Sequence, residues 1–292
     1  MSLSKFLKIE DVKKRFQECF SKTRFAVKKE ILAPPLTKNY GRVGTAFDYL
    51  LCFYLKYLNP QAVTHRWVAE LSLERLKEKV EMKKSKLTKD ERIVLPLWKD
   101  WYTKGKEELK LAEENYTQFL ETGQVTDDLI KSTLYLAKLD SIYRAGYIKK
   151  DFEYVDKNDI KDLKNLISLL NQKEFKPKNS CILNPTFGNA SVMVGGADAD
   201  LVIDGMLIDI KTTKIFQMKR EYYDQLIGYY TLYRIDGIDD MPEDNEIKQI
   251  GVYFSRYGYL HLYNIEDIID ENRFPEFVEW FKDRAIQEYG GI

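Results

Sequence analysis

Histidine, cysteine and net charge are all scarce in this chain of 292 residues. Its two histidines, His65 and His261, lie far apart and in no cluster with metal-ligand spacing, so we expect structural roles for both. The three cysteines are widely spaced, which indicates neither a disulfide framework nor a zinc site. The 46 basic side chains balance 46 acidic ones. This balance argues against a protein that coats DNA by bulk electrostatics, although it leaves room for a local basic groove.

Long apolar runs and nucleotide-binding loops are also missing. No stretch approaches the roughly twenty apolar residues of a membrane span, and the N-terminus lacks the apolar core of a signal peptide. We therefore expect no membrane partner and a cytoplasmic location. The sequence contains no Gly-x-x-x-x-Gly-Lys-Ser/Thr loop and no nucleophile elbow. These absences argue against an ATP-driven motor and against a serine hydrolase.

The charges that are present are distributed unevenly. Residues 1–38 hold ten Lys and Arg against four Asp and Glu, whereas residues 235–292 hold five against fourteen. The basic end has two interpretations, a solvated amphipathic helix or a contact with nucleic acid.

Apolar periodicity divides the chain into a helical part and a part with strands. Helical spacing predicts helices over residues 5–30, 41–58, 66–122, 126–148, 158–170, 219–235 and 275–289. From Ser180 the period changes, and strands are predicted over residues 181–183, 190–194, 201–203, 206–208, 250–254 and 259–263. The pattern predicts an α/β fold in which residues 60–175 form a helical insertion or cap on a small α/β core.

The stretch with the clearest chemistry is a predicted hairpin. Leu201–Ile203 and Met206–Ile208 are apolar, and Asp204-Gly205 between them is a strong two-residue hairpin signal. In an antiparallel hairpin with this turn, Asp200 and Asp209 fall at the same open end, and Lys211 follows closely. Charged groups that are partly withdrawn from water are costly unless they are paired or bind a metal.

These residue types suit metal-assisted hydrolysis of a phosphodiester. Carboxylates of Asp200 and Asp209, with the main-chain carbonyl of Ile210, are hard oxygen ligands for Mg²⁺ or Mn²⁺. Lys211 lies close enough to orient a water or to offset transition-state charge. The alternative is a surface hairpin with an ordinary ion pair. Acid-x-Lys triplets also occur at Glu81-Met82-Lys83, 159–161, 162–164 and 246–248, mostly in polar helical contexts, so the triplet alone is a weak signal.

Two predicted helices carry further candidates. Asp48 is the one acid within the mostly apolar helix 41–58, and it is either a metal ligand or the partner of a cation such as Arg42. Gln225 and Tyr229 are four residues apart and share a helix face. This face has two interpretations. In the first it points at the metal site, and Gln225 binds phosphate or water. In the second the helix only packs its aromatic side chains, and Gln225 is exposed.

Taken in order, these motifs resemble the PD-(D/E)XK nuclease superfamily, and within it the RecB-like branch that includes CRISPR-associated exonucleases. That branch has Gly-x-x-x-His on a helix, Asp before a strand, Asp/Glu-x-Lys on the next strand, and Gln-x-x-x-Tyr on a following helix. Asp200, Asp209-Ile210-Lys211 and Gln225-Leu226-Ile227-Gly228-Tyr229 match the last three motifs. Gly44-Thr45-Ala46-Phe47-Asp48 matches the first, except that Asp48 stands where the family usually has His.

The resemblance implies a domain organisation, site roles, a cofactor and a partner that the residues alone do not establish. It implies a single domain over residues 1–292 with a restriction-endonuclease-like core, made of the sheet at 180–265 and the helix 40–58. It implies Asp200, Asp209, Lys211, Gln225 and Tyr229 as catalytic residues, Asp48, Asp200, Asp209 and Ile210 as metal ligands, Mg²⁺ or Mn²⁺ as cofactor, and DNA as partner. Exonuclease action on DNA ends or single strands follows from the family alone. Three cysteines cannot supply the iron–sulfur cluster of some relatives.

Two other functions stay open at this point. A sequence-specific restriction-type endonuclease shares this core, but it usually needs a dimer and base-reading elements that the sequence does not show. A non-catalytic nucleic-acid-binding or protein-interaction module could keep the fold, and the departure at Asp48 is the feature in its favour.

Overall fold

In the computed structural model, which describes residues 2–145 and 152–290, the chain is an α/β protein with many helices and one open mixed sheet. The helices are α1 (Leu3–Phe6), α2 (Glu10–Cys19), α3 (Tyr40–Leu58), α4 (Val68–Glu81), α5 (Lys89–Thr122), α6 (Asp127–Ala145), α7 (Lys157–Ser168), α8 (Gly188–Met193), α9 (Arg220–Asp236), α10 (Ile265–Ile268) and α11 (Phe274–Tyr289). The strands are β1 (Cys181–Leu183), β2 (Leu201–Ile203), β3 (Met206–Lys211), β4 (Gln249–Phe254) and β5 (Tyr259–Asn264). Residues 146–148 of the predicted helix 126–148 lie outside the described residues.

The chain divides into two compact units. A sheet unit contains residues 1–32, 61–65 and 171–292, and a helical unit contains residues 33–60 and 66–170. None of the described helices is long and apolar enough to cross a membrane.

Within the helical unit, local signals fix the ends of the long helices. Thr88 caps α5 by accepting a hydrogen bond from the Glu91 amide, and the Glu91 side chain accepts one from the Thr88 amide in return. Gly123 ends the helix in the left-handed region at φ 68°. Helix α3, which carries Asp48, packs on α5, α6 and α7. Its predicted packing against the sheet stays a prediction.

The sheet has the strand order β1-β2-β3-β4-β5. All neighbouring pairs are antiparallel except β3 and β4, which run parallel with Ile210 opposite Tyr253. A parallel pair needs a crossover, and α9 supplies it and packs on both strands. Side chains alternate between the faces of a strand, so Leu207, Asp209 and Lys211 share one face. Leu207 belongs to the buried core that also contains α9 residues. Asp209 and Lys211 therefore face α9.

The β2–β3 turn is attached to an earlier part of the chain. Asp204 and Gly205 have φ of 46° and 80°, the left-handed values that a tight hairpin turn requires. The Asp204 carboxylate accepts hydrogen bonds from three consecutive amides, those of Lys178, Asn179 and Ser180, at 2.6, 2.8 and 3.0 Å. These bonds fix the turn to the residues that lead into β1.

One predicted strand is a helix. Residues 190–194 were expected to be extended, but they lie in α8 and its end. Ala190, Met193, Val194 and Ala197 are buried whereas Val192 is 62% exposed. This burial follows helical spacing, and a short apolar run is compatible with either period. The prediction of a strand there was wrong.

Two predicted helices are shorter than expected. The helix expected over residues 5–30 is divided into α1 and α2 and ends at Cys19, and residues 20–32 continue without helix or strand. Phe20 itself is extended, and exposed and half-buried residues alternate from Lys22 to Lys28. The apolar periodicity of the expected helix in fact stops at Phe20. The helix expected over residues 66–122 is interrupted between Glu81 and Lys89. The capping box at Thr88, which starts a new helix, explains that break.

Candidate active site

The hairpin brings the two predicted carboxylates to one end. Leu201 lies opposite Ile208 in the antiparallel register, so continuing the register by one residue pairs Asp200 with Asp209. The Ile210 amide donates a hydrogen bond to Oδ2 of Asp200 at 2.5 Å. The structure thus confirms that Asp200 and Asp209 meet at the open end of this hairpin.

A chain of polar contacts extends from Asp209 to α9. Asp209 is 2% exposed, and its Oδ2 forms an ion pair with Nζ of Lys211 at 2.5 Å. Lys211 Nζ also donates to Oε1 of Gln225 at 3.1 Å. The amide nitrogen of Gln225 then donates to the hydroxyl of Tyr229 at 2.8 Å. The predicted residues of β3 and α9 therefore form one connected network.

The network is crowded with negative charge. Burial raises the pKa of Asp200 to about 7, and the charge of Asp209 adds to the shift. Burial also raises the pKa of Asp209, against the opposing effect of Lys211. Burial of Lys211 opposes its protonation, but the two carboxylates together raise its pKa above the ordinary value. One ammonium therefore offsets only part of the charge of two buried carboxylates.

This donor set fits a hard divalent cation that keeps part of its water shell. Within residues 2–145 and 152–290, no group of three or more His, Cys, Asp or Glu side chains is placed to hold a metal. Mg²⁺ does not need such a cage, because it usually binds through one or two carboxylates and retains several waters. Asp200 and Asp209, with the Ile210 carbonyl, are enough for that mode of binding. A cation there would stabilise the charged carboxylates that burial disfavours, and would offset the charge of Asp209 that adds to the raised pKa of Asp200.

Three residues near the network were not singled out from the sequence. The charge of Asp198 raises the pKa values of both Asp200 and Tyr229, after the larger effect of burial. The ring centroid of Tyr222 lies 5.0 Å from Lys211 Nζ. Ser255 donates to the Thr212 hydroxyl at 2.9 Å. Two sequence signals were available, the Asp-x-Asp spacing at 198–200 and the three-residue spacing of Tyr222 and Gln225 on one helix.

Asp48 belongs to the other unit. It lies half-buried on α3, in the helical unit, whereas Asp200, Asp209 and Lys211 lie in the sheet unit. Its predicted role as a metal ligand and the alternative of a pair with Arg42 both remain hypotheses.

The chain was compared with family models, with curated proteins and with solved structures, and none of them matched. The chemical interpretation of the site therefore depends on its own residues and their geometry.

Proposed function

We propose that the protein is a Mg²⁺- or Mn²⁺-dependent nuclease that hydrolyses DNA phosphodiester bonds, with a restriction-endonuclease-like core. The observation that carries the proposal is the position of the Lys211 ammonium, which contacts Asp209 and Gln225 beside a second carboxylate, Asp200. Two crowded carboxylates with one lysine are suited to hold a cation and to stabilise a negatively charged transition state.

In this proposal the residues of the network have different roles in metal binding and in stabilising the transition state. Asp200, Asp209 and the carbonyl of Ile210 would hold the cation. When bound, the cation supplies Lewis-acid polarisation of a phosphoryl oxygen and lowers the pKa of a coordinated water. Lys211, whose pKa is raised, stays protonated at neutral pH and offsets charge that develops on the phosphoryl oxygens.

Gln225 and Tyr229 position that lysine. The two hydrogen bonds of the Gln225 amide fix its orientation, with the oxygen toward Lys211 and the nitrogen toward Tyr229. Tyr229 is 5% exposed, and its ring stacks on Phe187 with centroids 5.7 Å apart. A packed ring that holds the amide limits the positions open to the lysine, which is what a preorganised site needs.

A cleavage assay with matched variants tests the proposal. Wild-type protein is incubated with linear and circular DNA in Mg²⁺, in Mn²⁺ and in EDTA. The double variant Asp209→Asn with Lys211→Gln is the test, and Glu81→Gln with Lys83→Gln is the control, because it removes the same charges from an exposed acid-x-Lys triplet. We expect metal-dependent cleavage by the wild type and the control, and a loss of at least about a hundredfold in the test variant.

The substrates also separate the remaining alternatives. Cleavage of linear DNA alone indicates an exonuclease, and cleavage of circular DNA at defined positions indicates a restriction-type endonuclease. Absence of cleavage in both metals, with a folded protein, contradicts the enzymatic proposal and leaves a non-catalytic module.

A further inference from the structure

Residues 20–32, here called the basic segment, have two different sides. Exposure alternates along them, with Thr23, Phe25 and Val27 half-buried between exposed neighbours. The ring of Phe25 lies 5.1 Å from that of Phe216 and 4.9 Å from that of His261, measured between centroids. Lys22, Arg24 and Lys28 are exposed and alternate with these half-buried side chains. Lys29 is also exposed, and its Nζ lies 4.6 Å from the ring centroid of Tyr259.

The basic segment lies against the loop that leaves the candidate active site. This site loop, residues 211–220, begins at Lys211 and runs to the start of α9. Lys22 Nζ donates to the Met218 carbonyl at 2.6 Å. Arg220 donates to the carbonyls of Phe16 and Phe20 at 2.8 and 2.9 Å. These bonds, with the Phe25–Phe216 contact, join the two stretches into one surface of the sheet unit.

This surface is strongly cationic in a chain whose formal net charge is zero. The basic segment has a single acid, Glu30, and four cations, which are Lys22, Arg24, Lys28 and Lys29. The site loop has no acid and four cations, which are Lys211, Lys214, Lys219 and Arg220. Two of these form ion pairs with acids outside the loop, Lys211 with Asp209 and Arg220 with Asp224. Among the described residues, none of the four cations of the basic segment forms an ion pair with a carboxylate. Lys22 donates to the Met218 carbonyl and Lys29 lies over the Tyr259 ring, but both partners are neutral, so these positive charges are not neutralised by them.

We propose that the basic segment and the site loop bind the phosphodiester backbone of a nucleic-acid strand and lead it to Asp200, Asp209 and Lys211. That the bound nucleic-acid strand leads to these three residues depends on the proposed nuclease function. The binding of nucleic acid by this surface does not depend on it. Lys22 and Arg24 are two residues apart on extended chain, about 7 Å along it. A linear row of cations at such spacing complements a linear polyanion with one charge per 3.4 Å of each strand.

Binding through phosphates has a measurable signature. Each neutralised phosphate of a single strand releases bound counterions, so the logarithm of the association constant falls with the logarithm of salt concentration by about 0.7 per contact. Removing four such contacts should make the slope shallower by about 3. A structural role of the same lysines would leave the slope unchanged.

The test compares two variants with equal loss of charge. The first carries Lys22→Gln, Arg24→Gln, Lys28→Gln and Lys29→Gln. The control carries Gln at four exposed lysines of the helical unit, Lys77, Lys89, Lys99 and Lys161. Binding of a fluorescein-labelled single-stranded DNA of about 20 nucleotides is measured in EDTA, which prevents cleavage, between 50 and 200 mM salt. We expect binding by the first variant to be at least tenfold weaker at low salt, with the shallower slope, and binding by the control to stay within twofold of wild type.

Several outcomes are informative, provided that both variants melt within about 2 °C of the wild type. If the two variants bind DNA with equal affinity and equal salt dependence, the proposal of this binding surface is wrong, even if the wild type cleaves DNA. Failure of the wild type to bind DNA, together with binding to phosphatidylserine vesicles that the first variant loses, also overturns it in favour of an anionic membrane. If the first variant loses DNA binding as expected but the wild type does not cleave DNA, the proposed binding surface is supported and the nuclease proposal is contradicted.

Discussion

The two units differ in the partners that surround their buried charged side chains. In the helical unit, Asp159 is 1% exposed and accepts hydrogen bonds from the Thr37 hydroxyl at 2.5 Å and the Asn39 amide at 2.8 Å. Lys138 is 4% exposed and donates to the carbonyls of Phe152 and Tyr154. Asp159 and Lys138 thus have neutral hydrogen-bond partners, and buried Asp140 forms an ion pair with Arg144.

At the candidate site of the sheet unit, two buried carboxylates crowd each other instead. Asp200 and Asp209 share the end of one hairpin with a single lysine between them and α9. The comparison shows that burial of a charge is by itself a poor indicator of function, because hydrogen bonds can make it structural. Crowding of like charges is the better indicator, since it costs stability that only a ligand or a proton can restore.

The largest effect on stability should come from the helical unit. Asp159→Ala leaves the donors of Thr37 and Asn39 without their buried acceptor and should lower the free energy of unfolding by about 3 kcal/mol. Urea denaturation measures the change. Asp283→Ala, at an exposed position of α11, is the control and should change stability by less than about 0.5 kcal/mol. A cost below about 1 kcal/mol for Asp159→Ala would remove the contrast between the units.

Removing a carboxylate from the sheet unit should do the opposite. Asp200→Asn keeps an acceptor for the Ile210 amide but ends the repulsion with Asp209, so without metal it should stabilise the protein at pH 8 by about 1–2 kcal/mol. The folded-state pKa of Asp200 is raised to about 7. Asp200 therefore contributes a loss of stability to the wild type as pH rises from about 4 through 7, and the variant lacks this contribution.

The difference in stability between the two proteins should consequently shrink as pH falls toward 4, because folded Asp200 is protonated there and the unfolded chain approaches its own pKa of 3.8. Urea denaturation at pH 4, 6 and 8 in EDTA measures this. A variant that is less stable than wild type at pH 8 would show that the Asp200 carboxylate is a structural group like Asp159.

Asp48 decides whether the helical unit contributes to the chemistry. Asp48→Asn is nearly isosteric, and if Asp48 faces the metal we expect normal folding, weaker metal binding and at least tenfold lower activity, about 1.4 kcal/mol of transition-state stabilisation. Asp48→His should retain part of the activity and shift preference toward Mn²⁺.

A structural Asp48 predicts other results for the same variant. If Asp48 pairs with Arg42 in an environment shielded from water, Asp48→Asn should lose about 3 kcal/mol of stability and keep the metal affinity of the wild type. Melting temperature and Mn²⁺ titration of the one variant separate the two hypotheses.

The smallest expected effect is thermal stabilisation by metal. Mn²⁺ at about five times its dissociation constant should add about 1 kcal/mol, because it binds only the folded state, and should raise the melting temperature by about 2–4 °C. Asp209→Ala should abolish this shift, and Asp283→Ala should keep it. Equal shifts in wild type and Asp209→Ala would show that the carboxylates are not the ligands.

Local signals in the sequence predicted the core of the site and much of the fold. The Asp204-Gly205 turn and its apolar flanks were enough to place Asp200 opposite Asp209, because a two-residue turn fixes the register of a hairpin. Gln225 and Tyr229 were placed on one helix face by their spacing alone, and their hydrogen bond agrees with it.

Features that depend on distant parts of the chain were not predictable in the same way. The parallel pairing of β3 with β4 brings Lys211 level with Phe254, and nothing near either residue specifies that register. The path of residues 20–32 is stabilised by Phe216, Phe254 and His261, which lie about 200 residues later. The helix at 188–193 was missed because it is only six residues long, and a short apolar run is compatible with a helix or a strand.

The hairpin turn is hydrogen-bonded to residues 178–180, so hydrogen exchange measured at those residues reports on motion of the hairpin that carries the candidate site. Three amide hydrogens of an otherwise solvent-facing stretch are held by the single carboxylate of Asp204. Their exchange with deuterated solvent requires that carboxylate to move away, and the carboxylate moves with the turn that joins β2 to β3. The exchange lifetimes of Lys178, Asn179 and Ser180 therefore time the opening of the hairpin whose far end holds Asp200 and Asp209.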